Sequence, residues 1–167
     1  SNNCGVSTCV SVTVTVEDKV APTVVTQNIT VQLNANGTAT ITAAQINNGS
    51  TDNCAIATYA LDITSFDCSD VGANTVTLTV TDVNGNSATG TATVTVEDKI
   101  APTVITQNIT VQLDGNGAAT ITAAQINNGS TDNCGVASLA LSKTAFDCTN
   151  VGANTVTLTV TDVNGNS

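Results

Sequence analysis

The 167-residue chain has no His, Trp or Met, two Pro, one Tyr and two Phe. Without His, a Ser or Cys nucleophile lacks its usual base. The abundant Ser and Thr sit in alternating runs, where a hydroxyl is the ordinary solvent-face group. Carboxylates alone can serve acid–base chemistry. Here, however, no oxyanion motif and no aromatic-lined pocket accompany them, so the chain is expected not to be an enzyme. Basic residues are also scarce, 3 against 13 acidic ones, for a net charge of −10. Such a surface repels nucleic acid and anionic lipid. No apolar run is long enough to span a bilayer, so no membrane insertion is expected in this segment. No signal peptide is visible, so a secretion route is expected to lie outside this segment or to have been removed. There are no C-x-x-C pairs, which argues against zinc.

What the chain does have is repetition. Val20 to Ser87 returns as Ile100 to Ser167, shifted by 80 positions, and Ala39 to Cys54 and Val71 to Ser87 return unchanged. A period of that size marks tandem domains. Enzymes rarely need two near-identical adjacent sites, whereas stalks, spacers and adhesins gain length and multivalency from them. The repeat divides the chain into residues 1–19, a closing strand of a preceding repeat plus linker; 20–99, the first repeat; and 100–167, a second repeat without its last strand. Two readings follow. Either this is a window on a longer array, or residues 7 to 16 of one molecule complete the second domain of the next, giving a head-to-tail filament.

The apolar residues are Val, Ile, Leu and Ala interleaved with Thr, which favours strands. Period-two alternation runs through Ser11–Val16, Asn28–Leu33, Thr38–Ala43, Asn74–Thr81 and Thr91–Val96. Shorter strands are expected at Ala55–Ala60 and Ile63–Phe66, and a helix only briefly near Ala43–Ile46. Asn36-Gly37, Asn48-Gly49, Val71-Gly72 and Asn84-Gly85 punctuate them. The pattern predicts an all-β protein of tandem immunoglobulin-like antiparallel β-sandwich domains. Both Pro residues, Pro22 and Pro102, follow V-E-D-K at the unit boundaries, where they end pairing and stiffen a short junction.

The cysteines fall one pair to a unit, Cys54 with Cys68 and Cys134 with Cys148, plus Cys4 and Cys9 ahead of the first repeat. Disulfides within each repeat, in an oxidising extracellular setting, are the simplest account; free buried thiols in a cytosolic protein are the alternative.

The acidic residues also recur: Glu17, Asp18, Asp52 and Asp82 return as Glu97, Asp98, Asp132 and Asp162. In a sandwich of this kind the linker, the S-T-D-N-C loop and the D-V-N-G-N loop share one pole. Four carboxylates would then converge at each junction, with amide oxygens of Asn53, Asn84 and Asn86 beside the first set. Like charges so close repel, and Ca²⁺, a hard cation that binds oxygen, would relieve the repulsion. The alternative is that Asp52 bonds its own loop amides while Glu17 and Asp18 stay solvated. D-V-N-G-N is not an EF-hand loop. Asn28, Asn36 and Asn48 fit the N-glycosylation pattern, as chance allows in an Asn- and Thr-rich chain.

A-P-T, T-D-N-C, V-G-A-N-T-V-T-L-T-V-T-D-V-N-G-N-S and V-T-V-E-D-K together resemble hyalin-repeat and related immunoglobulin-like repeats. Such repeats occur in giant surface adhesins of Bacteroidota, including the gliding-motility type exported by type 9 secretion. The resemblance covers nearly the whole chain. It implies a seven-strand-like sandwich in an extended cell-surface fibre, with neighbouring repeats as partners and surface glycans or proteins as candidate ligands. Some such repeats carry a further Cys early in the last strand. Cys9 matches that place and Cys4 falls in the turn before it, where a local Cys4–Cys9 bridge is one pairing the resemblance leaves open. The alternative function, a carbohydrate- or protein-binding module, would want an exposed aromatic cluster, and Tyr59 is thin support for one.

Overall fold

A computed structural model of the chain describes residues 11–167. Cys4, Cys9 and the start of the expected opening strand lie outside them. The regular structure of the described residues is mostly strand, as the alternation predicts. In the first unit these are β1 (Ile29–Gln32), β2 (Thr38–Thr40), β3 (Ile56–Leu61), β4 (Ser65–Asp67), β5 (Gly72–Asp82) and β6 (Ser87–Glu97). One helical turn, α1 (Ala43–Ile46), breaks the series where the sequence places it. Thr42 caps it, its N–H donating to Gln45 Oε1 at 2.8 Å.

The main sheet has the order β1-β6-β5-β3, and β2 and β4 form a separate pair. β5 and β6 are joined by the Asp82–Asn86 turn, with Gly85 at φ 93°, a backbone that side chains resist. The sheet is not purely antiparallel as expected, because β1 runs parallel to β6, Ile29 opposite Val94 and Val31 opposite Val96. Val76, Leu78, Val80, Ala92, Val94 and Val96 point from β5 and β6 into a core that Leu33, Ala39, Ile41, Ile46 and Phe66 complete. Burying each such Val or Leu contributes about 1.5–3 kcal/mol.

The second unit repeats the plan in part: β7 (Ala118–Thr120), α2 (Ala123–Ile126), β8 (Val136–Leu141), β9 (Ala145–Asp147) and β10 (Leu158–Asp162). β10 has five residues where β5 has eleven. The buried core shrinks to Ile121, Ile126, Leu158 and Val160. Ile109 and Val111, the counterparts of Ile29 and Val31, are exposed. Among the described residues no strand stands where β6 stands in the first unit.

The strand expected at Ser11–Val16 is not formed. Val12, Val14 and Val16 are 81%, 79% and 90% exposed, whereas their repeats Ala92, Val94 and Val96 are at most 5% exposed. Alternation specifies a strand only where a neighbouring strand meets its hydrogen bonds.

Candidate functional site at the unit junction

The length of β5 fixes the geography. At ~3.4 Å per residue its eleven residues separate Gly72 from Asp82 by roughly 34 Å. The Asp82 pole of the first unit also holds Asp18, Asp52 and Cys54. The Gly72 pole holds Gly37, Cys68 and the end of β6, whose Val96 lies opposite Gly72. Asp98 follows β6 directly, so the junction joins the Gly72 pole of the first unit to the Asp162 pole of the second.

This geography corrects the within-repeat pairing Cys54–Cys68 and Cys134–Cys148. Those partners lie at opposite poles, far beyond the ~7 Å Cα separation a disulfide tolerates. The bond formed instead is Cys68–Cys134, Cα to Cα 5.4 Å, from the first unit to the second. Cys54 and Cys148 are exposed free thiols. A hairpin of β3 and β4 would have brought Cys54 beside Cys68, but β4 leaves β3 and pairs with β2. Gly37 is packed against the crosslink: a Cβ there would stand 2.6 Å from Cys68 Sγ and 2.9 Å from the Asn133 carbonyl. Its φ of 71° independently favours glycine.

The carboxylates converge as expected for Asp18, Asp52 and Asp82, and for Asp98, Asp132 and Asp162. In each set one ligand atom per residue lies within 4.8 Å of the others. Glu17 and Glu97 do not join them. Glu17 pairs with Lys19 at 2.6 Å, and Glu97 Oε2 accepts from Gln32 at 2.6 Å and faces Lys99 at 3.8 Å. They precede the aspartates by one residue in extended backbone, which turns them to the other side.

The two sets are built alike. Asp162 Oδ1 accepts the N–H groups of Asn164 and Asn166 at 2.8 Å each, and Oδ2 accepts Asn166 Nδ2 at 2.7 Å. Asn166 also donates to the Asp98 carbonyl at 3.2 Å, which locks the linker onto the turn. Asp132 Oδ2 accepts from the amides of Cys134 and Gly135, and Asp98 Oδ1 from Ile100 N–H and Asn133 Nδ2. That leaves Asp98 Oδ2, Asp132 Oδ1 and Asn133 Oδ1 buried with no donor. Asp18 Oδ2 and Asp52 Oδ1 are left the same way in the first set. Buried oxygens without donors are rare, and several aimed together form an oxygen-only nest suited to a hard cation. The second set is the more enclosed: Asp98 and Asp162 are 4% and 2% exposed.

Burial pushes the Asp162 carboxyl up, but the Asn166 side chain and the amides of the turn outweigh it, and the group sits below its ordinary 3.8. Asp82 is held down in the same way. Asp67 and Asp147 are lowered chiefly by the hydroxyls of Ser69 and Thr149. A carboxyl lowered on folding contributes stability above its unfolded pKa and loses it as pH falls through the folded value. Stability in chelator should therefore be flat from neutral pH to about 4 and fall steeply below it. Acid titration followed by circular dichroism checks this; a loss beginning near pH 6 would contradict it.

No protein-family model matches the chain, and no curated protein matches it. No helix among the described residues is long and apolar enough to cross a membrane.

Proposed function

We propose that the chain is a structural, adhesive stalk repeat of an extracellular bacterial surface adhesin or filament. It is built of tandem immunoglobulin-like sandwiches, with no catalytic role. The observation that carries this reading is the Cys68–Cys134 bond. A disulfide that fastens one repeat to the next resists hinge opening at the junction, and disulfides persist in oxidising settings such as the periplasm or the cell exterior, which supports a location at the surface. Ca²⁺ at Asp98, Asp132 and Asp162 would tie the end of β6 to two loops of the following unit at the same place. A pulling force along the array then meets a covalent link and a cation clamp between units, with the Val-rich cores behind them.

Antibodies against the chain, applied to the source organism and imaged by electron microscopy, should label fibres or a surface coat. Label confined to the cell interior would overturn the proposal.

A further inference from the structure

The crosslink and the oxygen nest at the junction share one loop. Asp132, Asn133 and Cys134 are consecutive. Asp132 Oδ1 and Asn133 Oδ1 are buried without a donor, and Cys134 carries the bond to Cys68 of the first unit. Hydrogen bonds tie the two features together. Cys134 N–H donates to Asp132 Oδ2 at 2.8 Å. Asn133 Nδ2 donates to Cys134 Sγ at 3.5 Å and to Asp98 Oδ1 at 3.2 Å. Cys68 Sγ lies 3.5 Å from the Asn133 carbonyl oxygen. From the first unit Gly37 backs the same carbonyl, where a Cβ would come within 2.9 Å of it.

The nest needs something to hold it shut. Asp98 is 4% exposed, and its Oδ2 has no donor. Asp98, Asp132 and Asp162 each bring one oxygen within 4.8 Å of the others. Carboxylates so close repel one another when no cation lies between them. Without Ca²⁺ that repulsion pushes the Asp132–Cys134 loop away from Asp98, and the Cys68–Cys134 bond opposes the movement.

We infer that the bond and the nest are coupled: the Cys68–Cys134 disulfide raises the affinity of Asp98, Asp132 and Asp162 for Ca²⁺, and Ca²⁺ protects that disulfide from reduction. The inference rests on the cation reading above and adds its regulation. With the bond closed, the loop is already held against the first unit, and Ca²⁺ does not have to order it. With the bond open, part of the binding energy goes into bringing Asp132 and Asn133 back to Asp98. The linkage is reciprocal. The factor by which the bond tightens Ca²⁺ binding is the factor by which saturating Ca²⁺ favours the bond over its two thiols. Couplings of this kind usually amount to about 5- to 150-fold. The junction is then stiff where Ca²⁺ and an oxidising setting coincide, and looser where either is missing.

The reductant is a small thiol such as glutathione. Its thiolate attacks one sulfur of the bond, forming a mixed disulfide and releasing the other Cys as a thiol; a second glutathione thiolate resolves the mixed disulfide. One protein disulfide and two glutathione thiols become two protein thiols and one glutathione disulfide, the two electrons passing to the protein.

The test is Ca²⁺ titration of the full chain followed by NMR, with a competing chelator to set the range. The amides of Cys134 and Cys54, which donate to Asp132 and Asp52, read the two nests separately. Cys68→Ser opens the bond from the first unit's side and leaves Asp132, Asn133 and Cys134 in place. It should weaken Ca²⁺ at the Asp98 set by at least about fivefold. The Asp18, Asp52 and Asp82 set should keep its affinity, which shows that the variant is folded. In glutathione redox buffers, saturating Ca²⁺ should shift the unsubstituted chain toward the Cys68–Cys134 bond by the same factor, read by alkylation and mass spectrometry. Asp132→Asn should shrink that shift. Unchanged affinity at the Asp98 set in Cys68→Ser overturns the inference. So does an equal loss at both sets, or a Ca²⁺ shift undiminished in Asp132→Asn. Ca²⁺ binding that ignores the bond defeats the coupling alone, whereas no binding to the oxidised chain defeats the cation reading as well.

Discussion

Cys134→Ser and Cys68→Ser should be the two most damaging single substitutions of a cysteine. The Cys68–Cys134 bond joins residues 66 positions apart. Loop-closure entropy assigns such a bond about 4 kcal/mol. Unfolding in denaturant should shift by that order, and reducing agent should bring the unsubstituted chain to the same curve. Cys68→Ser should match Cys134→Ser, and the double variant should be no worse than either, since both remove one bond. Cys54→Ser and Cys148→Ser, at exposed unpaired thiols, should change the stability of the single chain by less than about 0.5 kcal/mol. The opposite ranking, with all four serine variants equally harmful, would mean the bonds lie within the units.

The second large effect concerns Ca²⁺. A ligand bound only by the folded chain, at a hundredfold excess over its dissociation constant, stabilises it by about 2.7 kcal/mol. The sharper test is a change of sign at Asp98. Its Oδ2 is buried without a donor beside Asp132 and Asp162. In chelator, Asp98→Asn removes a like charge and supplies an N–H, so the melting temperature should rise. With Ca²⁺ the same variant loses a charged ligand, and the melting temperature should fall below that of the unsubstituted chain. Asp162→Asn should be harmful in both conditions, because that carboxylate also holds its turn through three hydrogen bonds. Calorimetric titration should give heat for two sites, the Asp98 set the tighter because it is better enclosed. No heat up to millimolar Ca²⁺, with melting unchanged by chelator, would leave the aspartates as loop-bonding groups.

Much of this was legible from alternation and turn residues. The apolar positions Val76, Leu78, Val80, Val94 and Val96 are all buried. Convergence of the aspartates was legible because linker, T-D-N-C loop and D-V-N-G-N loop each precede or follow a strand end at one pole. The parallel partner of β1 was not legible, since side-chain period says which face is buried and nothing about which strand lies alongside. Counting one pair per unit gives the wrong disulfide, because it ignores where the strands carry the residues. The corrective signal stood in the T-D-N-C loop itself. The sequence puts Asp132 at the junction, and Cys134, two residues on, donates its amide to the Asp132 carboxylate at 2.8 Å. A cysteine so placed faces the preceding unit. Glu17 and Glu97 adjoin Asp18 and Asp98 in sequence, yet adjacent residues of extended chain point to opposite sides.

The covalent bond of this chain runs between repeats rather than within one. Proteolysis of the non-reduced chain followed by mass spectrometry reads this directly. The account predicts a peptide pair joining Cys68 to Cys134, lost on reduction, with Cys54 and Cys148 alkylated in the single chain. Recovery of Cys54–Cys68 and Cys134–Cys148 would contradict it.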